Sequence, residues 1–301
     1  MEKPETMSDT EWALIQAMPE PLRNKALALW ISIQQRETPP PAPIKPPRSL
    51  QLPLWPEDGR GTPNSFLRSA IFSATKTRKF LKNELLASQS GYEILFTGET
   101  LNQSDLSVWQ QAAHYARRQP LGNECFFNGH EFLKAIGSSA GKANYEWLNA
   151  SLKRMVACAV EVRHGKRFFV GSLISSFTRD DETRLYKVSF DKDILKLFGP
   201  GDWSIIGWHE RLLLKGKPLA QWLHGYARSH AEPMPLKVET IRKLSGSETG
   251  NLRNFKIALK AAFEILEKAA GISAIFGEDD LIRIRKTPSG SQARYLLKKK
   301  H

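Results

Sequence analysis

In the last third of the chain, apolar residues fall at Leu252, Phe255, Leu259, Ala262, Phe263 and Leu266. Steps of three and four put them on one face of a helix over residues 252–269, with that face turned to a core. A helix over 217–230 and a short helix over 237–246 precede it. Two strand-like runs, ISAIF and LIRIR, follow around the turn Gly277-Glu278-Asp279-Asp280. The same order occurs earlier. Helices are predicted over 104–118, 129–137 and 143–157, the last with Trp147, Leu148 and Leu152 facing inward. The apolar runs CAVEVR and RFFVGSLISSF come next, joined by His164-Gly165-Lys166, and then RLYKVSFD. A glycine between β-rich runs is a hairpin signal. Tyr115-Ala116-Arg117 returns as Tyr226-Ala227-Arg228, and Leu152-Lys153 as Leu259-Lys260.

Helix, short helix, turn, longer helix and hairpin is the plan of a winged helix. The expected fold class is therefore α+β: two tandem winged-helix domains, over 65–203 and 204–286, behind an N-terminal helical and proline-rich extension. In that extension, residues 1–37 read as two short helices broken near Pro19 and Pro21. Residues 38–64 read as a linker, because the run TPPPAPIKPP lacks the amide donors that a helix or central strand needs. The pentapeptide Gln51-Leu52-Pro53-Leu54-Trp55 follows that run and puts large apolar groups on a segment with no core of its own. Residues 287–301 read as a flexible basic tail.

Charge sharpens the picture. Lys and Arg number 44 against 31 acidic residues, a net +13 with a pI near 9.7, which points to a polyanionic partner, nucleic acid foremost. No apolar run approaches the roughly 20 residues of a membrane span, and the start lacks the basic-then-apolar order of a secretion signal, so a cytoplasmic protein is expected. The two cysteines, Cys125 and Cys158, lie far apart with no metal-ligand spacing and read as buried thiols. Neither a phosphate-binding GxxxxGK[ST] loop nor HExxH occurs. No catalytic residue, metal or cofactor is expected, and the protein reads as a non-enzyme.

The polar face of the 252–269 helix carries Arg253, Asn254, Lys256 and Lys260. Arginine is suited to guanine and asparagine to adenine by paired hydrogen bonds, so this face combines base readout with charge. The first copy offers Lys142, Asn144, Lys153 and Arg154 on its long helix. Its Gly165 hairpin brings Arg163, Lys166 and Arg167 to a tip that reads as a wing on the phosphate backbone.

With these pieces placed, the stretches QLPLW, GETLNQSDLSVWQQAAHYARRQPLG, FDKDILKLF and EPMPLKVETIRKLSGS make residues 50–286 resemble the TrfA-type replication initiators of broad-host-range plasmids. These belong to the iteron-binding, two-winged-helix initiators. The resemblance implies a plasmid replication initiator that binds double-stranded origin iterons and opens adjacent AT-rich DNA, with that single strand as a further partner. It implies recruitment of the host replicative helicase and host initiator, and self-association between monomer and dimer through the first winged helix. It also implies that Gln51, Leu52, Leu54 and Trp55 bind the bacterial sliding clamp, with Trp55 where the family carries phenylalanine. Two other classes share the plan: a winged-helix transcriptional repressor acting on its own gene, and an adaptor that binds protein alone.

Overall fold

A computed structural model describes residues 3–4, 7–35, 52–119 and 123–299. The chain divides into two units, Met1–Ser49 and Leu50–His301. In the first, α1 (Asp9–Gln16) starts with a capping box: Ser8 accepts from the Glu11 amide while the Glu11 carboxylate accepts from the Ser8 amide at 3.1 Å. It ends before Pro19, and α2 (Glu20–Gln35) follows with Pro21 in its first turn, where a missing amide hydrogen leaves no bond unmade. The proline run 38–47 lies outside the described residues.

The second unit opens with β1 (Gly59–Pro63), α3 (Asn64–Leu67), β2 (Phe72–Ser73), β3 (Phe80–Leu86), β4 (Tyr92–Glu99) and β5 (Leu101–Asn102). Next come α4 (Gln103–Ala116), β6 (Glu124–Asn128), α5 (Gly129–Ala135), α6 (Lys142–Ala157), β7 (Ala159–His164), β8 (Arg167–Gly171), β9 (Ser176–Arg179) and β10 (Leu185–Ser189). A 3-10 turn, Lys192–Phe198, leads to β11 (Trp203–Gly207), α7 (Trp208–Leu213) and α8 (Pro218–Arg228). The chain finishes with β12 (Leu236–Lys237), α9 (Val238–Leu244), α10 (Leu252–Ala270), β13 (Ser273–Phe276), β14 (Leu281–Arg285) and α11 (Gly290–Lys299).

Two winged helices stand in tandem. In the first, α4, α5 and α6 pack on a sheet of order β6-β10-β9; in the second, α8, α9 and α10 pack on a sheet of order β12-β14-β13. In each the strand between the first two helices pairs with the last strand, and the wing hairpin closes the edge. Each has its own apolar core, one around Trp109 and Phe132, the other around Trp222, Phe255 and Leu259. Both buried tryptophans place their indole N–H, Trp109 on the Leu173 carbonyl and Trp222 on the Ser69 carbonyl, each at 3.1 Å.

The first wing is not the hairpin that Gly165 turns. The β7–β8 hairpin leaves the winged helix and joins β3 and β4 in an antiparallel sheet of order β3-β4-β7-β8. The run RFFVGSLISSF is broken after Gly171; its last two residues, Ser176 and Phe177, open β9, which pairs with β10 across residues 180–184. Residues 59–63, expected in a linker, form a buried strand paired antiparallel with β11. The expected basic tail is also structured from Gly290. The Gln292 side-chain amide donates to the Arg228 carbonyl at 2.8 Å, and the half-buried Lys286 amine donates to Gln292 at 2.5 Å, its pKa pushed down to about 8 by burial.

A buried arginine ties α7, which leads into the second winged helix, to the first. Arg211 of α7 is 1% exposed, and its guanidinium donates to the Gln103 carbonyl at 2.8 Å and the Ser107 hydroxyl at 3.1 Å, both on α4. Burial pushes its pKa down to about 9.

Candidate nucleic-acid interface

The α10 helix begins at Asn251, whose side-chain oxygen accepts from the Arg253 amide at 2.8 Å, and ends at Gly271 in the left-handed region at φ +62°. Phe255, Leu259, Ala262, Phe263 and Leu266 are buried as the apolar stripe requires. The opposite side exposes Arg253, Asn254, Ile257, Ala258, Lys260 and Ala261 in its first half. Its second half exposes Glu264, Glu267 and Lys268. Among the described residues, the Arg253 and Asn254 side chains have no partner within the protein. Lys256 is half-buried and ion-paired to Asp280 of the wing, and the Lys260 amine lies 5.4 Å from the centre of the Phe276 ring. The four residues singled out in sequence therefore share one helix but divide in role: Arg253 and Asn254 are free to meet a ligand, while Lys256 and Lys260 are engaged with the hairpin beside them.

The first copy is less open. Arg154 is drawn into α4, donating at 2.9 Å to Asp105, a fully buried carboxylate that also accepts from Arg78 at 2.6 Å and from the Ser151 hydroxyl at 2.7 Å. That makes it a structural cation. Asn144 uses its amide on the Ser139 carbonyl at 2.8 Å, closing the turn before α6. Lys142 and Lys153 are exposed, Lys142 lying 4.0 Å from Glu146.

At the β7–β8 turn, Arg167 is ion-paired to Asp202 and the Arg163 guanidinium lies 5.3 Å from the centre of the Phe168 ring, leaving Lys166 exposed at the tip. These three cations thus sit on the four-stranded sheet and not on a wing. The two true wings carry acidic residues at their tips: Asp180, Asp181 and Glu182 beside Arg179 and Arg184 on the first, and Glu278, Asp279 and the Lys256-paired Asp280 on the second. Acidic tips weaken the approach of either wing to a phosphate backbone, whereas the start of α10 exposes Arg253 and Asn254 together.

The pentapeptide needs a larger correction. Gln51 lies outside the described residues, and Leu54 is 80% exposed. Leu52 and Trp55, each 5% exposed, belong to the first core. The Trp55 ring stacks on Phe198 with centres 6.0 Å apart, and its indole N–H donates to His114 Nδ1 at 3.1 Å. Gly61 lies against the ring so closely that a Cβ there would come within 2.4 Å of it. Trp55 is therefore not presented on a free tether; its ring rests on His114 and Phe198, 59 and 143 positions away, which the local sequence did not show.

His114 is held neutral, its pKa pushed down to about 4 by burial and by the Arg60 and Arg117 charges. Cys125 and Cys158 are buried free thiols, pushed up to about 12 and about 11 by burial. Among the described residues no cluster of His, Cys, Asp and Glu could hold a metal, and no helix is long and apolar enough to cross a membrane.

Comparison with known proteins gives a family. The family model described as TrfA protein matches residues 48–286. A plasmid replication initiator protein TrfA from Escherichia coli is 28% identical over 254 residues, covering 79% of this chain and 66% of that protein, so the chain spans just under two thirds of its curated relative's length. Among solved structures, domains 2 and 3 of RctB match with a TM-score of 0.50 at 14% identity, covering 72% of this chain and 95% of that one. A Pi initiator protein in complex with iteron DNA matches with a TM-score of 0.43 at 13% identity, over 64% of this chain and 95% of that one. At such identities the RctB likeness speaks for the fold alone.

Proposed function

The chain belongs to the TrfA family, and on that premise we propose that it initiates plasmid replication by binding repeated duplex sites, iterons, at an origin. The observation that carries this reading is the face of α10, where Arg253 and Asn254 stand exposed and unpartnered at the start of the second winged helix's long helix. Their hydrogen-bonding patterns match guanine and adenine edges in the major groove, which admits an α-helix. The first winged helix adds the exposed Lys142 and Lys153, suited to phosphates rather than bases.

Binding of several copies side by side opens an adjacent AT-rich segment, and the host helicase and host initiator are recruited there. Copies of the protein pair through the first winged helix and bind repeats as monomers. Engagement of the sliding clamp through residues 51–55 requires Trp55 to leave its core site, since among the described residues 52–55 only Leu54 is exposed. Clamp binding therefore depends on a rearrangement of the first winged helix.

The test is footprinting of the full chain on the plasmid DNA that flanks its gene. Protection repeating at a constant interval beside a permanganate-sensitive AT-rich stretch is the expected result. A single protected operator over the promoter, bound by a dimer and without strand opening, would replace this reading with that of a repressor.

A further inference from the structure

The exposed face of α10 holds a residue that neither charge nor folding explains. Ile257 is 62% exposed, on the helix side opposite the core stripe and one turn beyond Arg253. Its exposed neighbours one turn away are Arg253, Asn254, Lys260 and Ala261, with the exposed Ala258 further round the helix, so Ile257 stands as the one large apolar side chain among polar and small ones. Two alanines let a helix backbone come close to whatever it faces, and a β-branched isoleucine among them makes a single stiff apolar projection. Four residues of rise put Ile257 about 6 Å along the axis from Arg253, within the same few base pairs. Beyond it, exposed Glu264 and Glu267 outnumber exposed Lys268, so the charge of the outer face favours a polyanion along the first half of the helix.

Resting on the reading of α10 as the DNA-reading helix, we infer that Ile257 reads the C5-methyl group of a thymine in the bound repeat. The major-groove edge of thymine is the one that offers a methyl group, and apolar side chains recognise it by burying it. With Arg253 on guanine and Asn254 on adenine, this face selects a short mixed sequence in which a thymine lies within a few base pairs of the guanine contact. Ile257 is thus a specificity-determining residue that adds no charge and no hydrogen bond.

The experiment uses the full chain and the tightest duplex that it selects from a random pool. Each thymine in that duplex is replaced singly by deoxyuridine, which removes the methyl group and leaves every hydrogen bond in place. Wild-type protein is expected to bind about fourfold more weakly at one or two positions, the fold-change of one buried methyl group. Ile257→Ala, which leaves the core untouched, is expected to keep its thermal midpoint and bind the thymine and deoxyuridine duplexes equally. Ile257→Val retains the discrimination.

Indifference of the wild type to every replacement, or a preference for thymine that survives in Ile257→Ala, overturns the inference. The parent reading is tested separately. If Arg253→Ala and Asn254→Ala leave the ratio of selected to random binding unchanged, α10 is not the reading helix and both fall. If those variants lose the ratio while deoxyuridine is tolerated everywhere, only the role of Ile257 falls.

Discussion

Trp55 stacks on Phe198, bonds His114 and receives the Arg117 side chain on its carbonyl oxygen at 3.3 Å, so it acts as a keystone of the first core. Trp55→Ala should lower the stability of the full chain by about 3–5 kcal/mol, the usual cost of truncating a buried aromatic. Leu54→Ala should change it by less than about 0.5 kcal/mol. Paired urea melts decide; equal, small effects would show that the ring is not part of the core. The same site carries a pH dependence. Trp55 donates to Nδ1 of His114, which must therefore be unprotonated, and His114 sits depressed to about 4, with His230 also depressed to about 4 by burial. A depressed histidine contributes stability that is present above its unfolded pKa near 6.5 and is lost as pH falls toward the folded value. Stability should therefore fall between pH 6.5 and 4, by up to about 1.4 kcal/mol per pH unit for each histidine. His114→Gln should flatten that slope, and a wild-type profile that is level across this window would contradict the assignment.

At the scale of elements, the helices were legible in sequence because their apolar stripes repeat within a few residues: Phe255, Leu259 and Leu266 announce α10 without reference to any other segment. The wing of the first copy was not. Gly165 marks a true turn, but which sheet the hairpin joins depends on β4, whose Tyr92 pairs with His164 across 72 positions of sequence. The break inside RFFVGSLISSF is likewise set by partners, since Val188 of β10 pairs with Phe177 and Cys125 on either side. Among the candidate contacts, Arg253 and Asn254 were legible as free groups, whereas Arg154 was not, because Asp105, its partner, lies 49 positions away. The acidic wing tips make a prediction of their own. Replacing Glu278 and Asp279 by Gln and Asn should tighten binding to any duplex alike, most strongly at low salt, because a repulsion from phosphate is removed. Weaker binding of the selected site would instead mean that the tip makes a specific contact.

Across the whole molecule, a net charge of +13 favours polyanions without regard to sequence, and the Arg211 joint holds α7, the helix that leads into the second winged helix, against α4 of the first. Arg211→Ala should cost about 1–3 kcal/mol through its lost hydrogen bonds and split the unfolding of the two winged helices into separate transitions. A single transition shifted as a whole would show that other contacts couple them. The central claim is that α10 reads sequence while the remaining cations hold the backbone. The measurement that tests it most directly is the affinity of wild type, Arg253→Ala and Lys166→Ala for one iteron and for a random duplex at one salt concentration. Arg253→Ala should lose about 1–3 kcal/mol on the iteron and far less on the random duplex, while Lys166→Ala, on an exposed turn outside the wings, should preserve the ratio between the two. Equal losses on both duplexes for Arg253→Ala would contradict the account.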